Sequence, residues 1–243
     1  MTTLFRRTFT IAETQTPITE PITKFGGQPV WINEPTWPLA FETGEKMLFM
    51  GQIALEDSIF PNSNGVMVYV FIWGDAEPLY AEAMAVVIQT PEMIYKTEEV
   101  EYISDATGLS IYEFDENSKE NYKEYEILLS PIKSEIATPP SAHYNRYDEL
   151  DIELGYNFSR PEFAGNKIGG QPLYINQPTN PREEFDSKEW LLLLQLAPQQ
   201  GYYLLPRFQP NFYPFSMELG EFGILTIFIA NDYTQAKLFI QLP

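Results

Sequence analysis

Cysteine is absent, histidine occurs once, and acids outnumber bases by 34 to 15. Without cysteine the chain has no disulfide framework, no thiolate metal site and no thiol nucleophile. The single histidine, His143, sits in a polar stretch beside Pro139-Pro140, and no Gly-x-Ser-x-Gly accompanies it, so a Ser-His-Asp hydrolase lacks its parts and His143 reads as a surface or turn residue. No apolar run approaches the roughly 20 residues of a membrane span. Arg6 and Arg7 are not followed by the apolar region of a secretory leader, so the sequence predicts a soluble, cytoplasmic protein that does not engage membranes. A phosphate-cradling loop runs from strand into helix, whereas Gly26-Gly27 and Gly169-Gly170 each have a proline two residues on. No nucleotide or other cofactor is expected.

What is abundant is negative charge. The net −19 disfavours binding to the phosphate backbone of nucleic acid and favours a cationic protein partner. Residues 92–164 hold seventeen acids and six bases, so this stretch carries most of the excess.

The other abundance is internal repetition. Lys24-Phe25-Gly26-Gly27-Gln28-Pro29-Val30-Trp31-Ile32-Asn33-Glu34-Pro35-Thr36-Trp37-Pro38 recurs as Lys167-Ile168-Gly169-Gly170-Gln171-Pro172-Leu173-Tyr174-Ile175-Asn176-Gln177-Pro178-Thr179-Asn180-Pro181, with ten of fifteen positions identical. Gln52 and Gln195, each inside an apolar run, keep the same offset of 143 residues. We read an internal duplication. Residues 1–91 form a first β-rich repeat with a leading strand, 92–164 an acidic connector, and 165–243 a second β-rich repeat.

Short apolar runs bounded by turn residues predict strands at 47–55, 65–73 and 83–89, answered by 190–197, 223–229 and 236–242, with another at 125–129. Val30-Trp31-Ile32 is expected to be a strand that starts after Pro29. Asn145–Leu154 reads as an acidic helix, or as a strand with Leu150, Ile152 and Leu154 on one side, the helix preferred. The class is mainly β, a β-rich α+β arrangement in which two pseudo-symmetric halves, each a small sheet, pack together.

Lys24-Phe25-Gly26-Gly27-x-Pro29 with Trp37-Pro38, Leu48-Phe49-Met50-Gly51-Gln52-Ile53, and Leu219-Gly220-Glu221-Phe222-Gly223 followed by Ile224–Ile229 and Asp232 resemble the signatures of the YwqG-like family of bacterial proteins. The resemblance spans nearly the whole chain. It departs at Glu221, where the family usually has Asp, and at Asn180, which stands where Trp37 stands in the first copy. The family is related to the TYPP domains, a grouping that includes the programmed-cell-death-2-like proteins. Members there look like dedicated chaperones of a basic ribosomal protein, and bacterial members have been associated with toxin and immunity gene neighbourhoods. The resemblance implies a duplicated, β-rich binding scaffold without assigned chemistry.

The repeated motif has a structural reading: Gly26, Gly27, Gly169 and Gly170 give tight entries, Gln28 hydrogen-bonds locally, Pro29 and Pro172 fix an edge, and Gln52 and Gln195 make a shared internal hydrogen bond. Asp148, Glu149, Asp151 and Glu153 lack EF-hand spacing and a loop glycine, which makes them a solvated face and not a metal site. The expected function is a non-catalytic module, an immunity-type or chaperone-like escort of a basic protein. Glu98, Glu99, Glu101, Asp148, Glu149, Asp151 and Glu153 would steer the partner, and aromatic anchors Tyr202, Tyr203, Phe212 and Tyr213 would hold it. The alternative is a small-molecule or carbohydrate-binding protein or hydrolase with a cleft between the repeats, a paired-carboxylate glycosidase being the enzyme that fits best.

Overall fold

The computed structural model describes residues 2–73, 84–98, 100–114, 117, 119–138, 163, 165–174, 189–197 and 224–241. They form β1 (Thr3–Glu13), β2 (Lys24–Gly26), β3 (Trp37–Leu39), β4 (Leu48–Ala54), β5 (Met67–Ile72), β6 (Met84–Gln89), β7 (Ile94–Lys96) and β8 (Glu101–Ile103). Then follow β9 (Tyr112–Phe114), β10 (Glu120–Tyr122), β11 (Glu124–Leu129), β12 (Lys133–Ile136), β13 (Lys167–Gly169), β14 (Trp190–Leu196), β15 (Ile224–Ala230) and β16 (Ala236–Gln241). The chain is mainly β, and among the described residues there is no α-helix. The stretch Asn145–Leu154 lies outside them. No helix among the described residues is long and apolar enough to cross a membrane.

Twelve strands make one antiparallel sheet in the order β16-β15-β14-β13-β1-β11-β2-β4-β5-β6-β7, with β12 also paired to β1. The sheet curls into a half-barrel, bringing β16 to β6 across its concave side. That side holds a single core to which Phe9, Phe25, Val68, Val86, Ile168 and Ile227 all contribute. Alternation along each strand sends every second side chain there. The opposite face is covered as well. Beneath β3 and β8, Trp37, Phe49, Met67, Tyr69 and Phe71 form a second cluster against Trp31 and Tyr102. With both faces covered, β5 and β6 are buried at every position, which is why their sequences run apolar without alternation.

The middle of the sheet draws on both ends of the chain. β1 lies between β13 and β11, pairing Thr8 with Lys167 on one side and Ile11 with Ile127 on the other. β11 pairs with β2, Glu126 opposite Lys24. The leading strand thus completes the later Gly-Gly segment, and a strand from the acidic 92–164 stretch completes the earlier one. The loop after β4 closes one end of the core with Leu55, Ile59 and Phe60, and the Tyr233 hydroxyl, in the turn after β15, donates to Pro61 O at 2.7 Å.

Val30-Trp31-Ile32 is not a strand. The strand of the motif precedes the glycines, and Gly26 and Gly27, at φ 68° and 66°, turn the chain out of the sheet. Residues 28–36 then run irregularly over the outer face. In the second copy Gly169 and Gly170, at φ 74° and 76°, make the equivalent turn at the end of β13.

Thr8 is central to this arrangement, its N–H donating to Ser130 Oγ at 3.0 Å. Thr8→Pro removes that donor inside a central strand and should cost about 3 kcal/mol or more. Urea titration followed by tryptophan fluorescence and far-ultraviolet circular dichroism should show one earlier transition in both signals. Thr10→Ala, exposed on the same strand, should stay within about 0.5 kcal/mol of the parent.

Candidate functional site

The two Gly-Gly turns are the best-defined polar features of the fold. At each, a lysine on the outer face of the sheet is shut away from water, Lys24 at 1% and Lys167 at 0% exposure. Each faces a fully buried glutamine on the next strand, Lys24 opposite Gln52 and Lys167 opposite Gln195. An amide so placed must find partners. Gln52 accepts from Val30 N at 2.8 Å and donates to Ile22 O at 2.8 Å. Gln195 accepts from Leu173 N at 2.8 Å and donates to Gly165 O at 2.8 Å and Phe163 O at 3.0 Å.

The lysines clamp the same covering segments. Lys24 Nζ donates to Ile18 O at 3.2 Å and to Glu124 Oε1. Lys167 Nζ donates to Phe163 O at 2.7 Å and to Gln171 O. Among the described residues no carboxylate pairs with the Lys167 ammonium, and complete burial lowers its pKa to about 7, Glu135 opposing that shift and Arg6 adding to it.

The glycines make room for this chemistry. A Cβ on Gly26 would lie 2.1 Å from Lys123 O, and one on Gly169 would lie 2.4 Å from Phe5 O, so the first glycine of each pair meets a carbonyl of the adjoining strand. The second meets a carboxylate, Glu124 over Gly27 and Glu135 over Gly170. Glu124 also accepts from Ile18 N at 3.2 Å, and Glu135 accepts from Gln171 N at 2.6 Å and Arg6 Nε at 2.8 Å. Gln28 does not bond locally. Its amide exchanges two hydrogen bonds with Gly108, at 2.8 and 3.0 Å, while Gln171 accepts from Thr138 N at 2.6 Å and donates to Ile136 O at 3.2 Å.

In the first half the polar row continues outward. Tyr69 OH donates to Val30 O at 2.8 Å and accepts from Ile32 N at 3.1 Å. Gln89 accepts from Asn33 N at 2.9 Å and donates to Glu34 O at 2.8 Å. Burial pushes the Tyr69 phenol far up, which keeps it a donor at any ordinary pH.

A cavity adjoins each turn, and each measures about 360 Å³. The first is polar, with Glu13, Gln28, Tyr122, Lys123 and Glu124 in its wall. Its two carboxylates are ion-paired, Glu13 with Lys123 at 2.9 Å and Glu124 with Lys24. The second lies where the halves meet. Phe60 and Pro61 come from the loop after β4, Phe5 from β1, and Tyr174, Trp190 and Phe228 from the later half, with Gly169 and Gly170 in the wall. Among the described residues no Asp, Glu, His, Lys or Arg lines it, and burial raises the Tyr174 phenol to about 12.

Of the residues expected to meet a partner, Glu98 and Glu101 are exposed on and beside β8. Glu99, Asp148, Glu149, Asp151, Glu153, Tyr202, Tyr203, Phe212 and Tyr213 lie outside the described residues, as does His143. Pro29 and Pro172 follow the paired Gln28 and Gln171 in the two turns. Among the described residues no group of three or more His, Asp or Glu side chains is placed to hold a metal ion. Lys24 and Lys167 are the site residues that sequence reasoning passed over, although each heads its copy of the motif at the shared offset.

Residues 23–241 match a family model described as a domain of unknown function, DUF1963, so β1 precedes the matched stretch. No curated protein matches the chain.

Two measurements test this construction. Gln52→Leu and Gln195→Leu each strand a backbone N–H and at least one carbonyl, and each should lose at least about 2 kcal/mol in chemical denaturation. Lys167 also makes stability depend on pH. Between about 7 and its ordinary 10.5, the unfolded chain binds a proton that the folded chain does not, so stability rises with pH through that window. Wild type should therefore gain on Lys167→Met by up to about 1.4 kcal/mol per pH unit there. A constant difference between the two proteins from pH 7 to 10 would contradict the assignment.

Proposed function

The chain belongs to the YwqG-like family, the domain of unknown function DUF1963, and on that premise we propose that it is a non-catalytic protein-binding module that escorts or neutralises a basic protein. The observation that carries this reading is how the charges are used. Five of the fifteen bases are held in ion pairs within the fold: Arg6 with Glu135, Arg7 with Glu56, Lys24 with Glu124, Lys46 with Asp105 and Lys123 with Glu13. Meanwhile Glu42, Glu45, Glu92, Glu98, Glu101 and Glu126 stand exposed. Each pair takes up one acid with one base, so the whole net charge of −19 is left on the remaining side chains, and such a field speeds encounter with a cationic surface.

Two finer readings accompany it. The matched φ angles, lysine–glutamine pairs and crowded glycines support an internal duplication whose halves exchange their first strands. The resemblance to TYPP domains supports a chaperone-like or immunity-type role in the cytoplasm, and the net charge of −19 disfavours nucleic acid and anionic membranes as partners. Polar groups of the repeated motif support the same view, because each is engaged in holding the fold and offers no proton to a substrate.

Affinity purification from the native host with mass spectrometry should return a basic protein. With that partner, Glu98→Lys, Glu101→Lys, Asp148→Lys and Asp151→Lys combined should slow association by about tenfold or more while leaving the melting temperature close to the parent's. Raising salt beyond 0.1 M, where the screening length falls below about 10 Å, should slow the parent in the same way. Association rates indifferent to both changes would rule out electrostatic escort.

A further inference from the structure

We propose that the apolar cavity between the two halves is the anchor site for the basic partner, receiving one aromatic side chain flanked by lysine or arginine. The inference rests on the binding-module reading and adds the residue type that is gripped. An aromatic ring is the right size, since engineered cavities of about 150 Å³ take up benzene and this one measures about 360 Å³. Five aromatic side chains line it, which suits a ring and not a polyol. A pocket that strips water from its occupant is also where interface energy concentrates.

The rim supplies the second half of the argument. Phe5 is 40% exposed and Ile136 58% exposed, and Ile136 pairs across β1 with Thr3 at the cavity edge. Large apolar side chains left in water around a pocket mark a contact surface. The cations of the lining strand are matched internally, Arg6 by Glu135 and Arg7 by Glu56. The acids beside the lining residues, Asp57 and Glu189, are exposed. A ring carried by a cationic segment therefore meets apolar walls and an acidic approach, whereas an acidic segment meets repulsion.

Blocked tripeptides Lys-Phe-Lys and Glu-Phe-Glu serve as probes, with benzene as the uncharged one, read by methyl chemical shifts of Ile59 and Leu191 in the full chain. Lys-Phe-Lys should move both methyls at millimolar concentration and bind at least about tenfold tighter than Glu-Phe-Glu at low salt. Thr3→Trp, which blocks the edge, should abolish the shifts, while Thr10→Trp on the same strand should preserve them. Thr2→Trp replaces Thr3→Trp if the latter does not fold. Equal binding of both peptides, binding of benzene alone, or no shift in folded wild type would each overturn the proposal. Loss of this binding with salt-sensitive partner association intact would sink the cavity's role alone. Peptide binding with association indifferent to salt would sink the electrostatic reading instead.

Discussion

A glutamine amide inside an apolar strand has to find two partners, and much of this structure follows from where Gln52 and Gln195 find theirs. Each accepts from the chain beyond its Gly-Gly turn and donates to the chain before its lysine strand, so one side chain ties both flanks of the motif to the sheet. The neighbouring lysine adds a second clamp on the same layer, its Nζ donating to a backbone carbonyl. Alternatives are costly, because a buried donor or acceptor left unpaired loses its hydration without return. Specificity of the covering layer comes from this requirement. Apolar contacts alone would let residues 28–36 slide over the face that Tyr69 and Phe71 present, whereas the row Gln52, Tyr69 and Gln89 is matched in register by donors and acceptors of Val30 through Glu34.

The same economy explains which strands complete the two turns. Gly26 and Gly169 allow a neighbouring carbonyl closer than any Cβ permits, and those carbonyls belong to Lys123 and Phe5. The earlier turn is therefore completed by chain beyond residue 120, and the later turn by the first strand. Neither half owns all the strands its turn requires. A single core filled from both halves is the energetic counterpart, and it makes cooperative unfolding the natural behaviour.

Much of the strand layout was legible from residues alone. β4, β5, β6, β14 and β15 are short, largely buried apolar runs, and burial on both faces leaves such runs little choice but strand, while the half-buried β16 was legible from its Leu238, Phe239 and Ile240. The glycine pairs marked the turns because positive φ excludes other residues. Three things were not legible. Val30-Trp31-Ile32 has strand composition, yet it lies across the sheet because the preceding turn has already left it. Strand neighbours of β1 and β11 depend on pairings more than 100 residues apart, and no local pattern encodes them. The lysines were overlooked because a charged side chain is read as solvent-facing by default. Its recurrence in register before two glycines was the signal that could have identified it.

The two turns share backbone and clamps but not the cavities beside them. At Gly27 the wall is charged and self-neutralised, Glu13 with Lys123 and Glu124 with Lys24. At Gly169 and Gly170 the equivalent space is aromatic, and its carboxylate, Glu135, is turned toward Arg6 and Gln171 N. Residues common to both turns are those that hold the fold, so they carry little information about a ligand. Recognition has to reside in what differs. A wall whose charges are already paired gives up its own ion pairs to bind a charged group, while an apolar wall gives up only water. On the binding-module reading proposed above, the difference between the two cavities favours the later one for affinity and leaves the acidic surface to govern how fast a partner arrives.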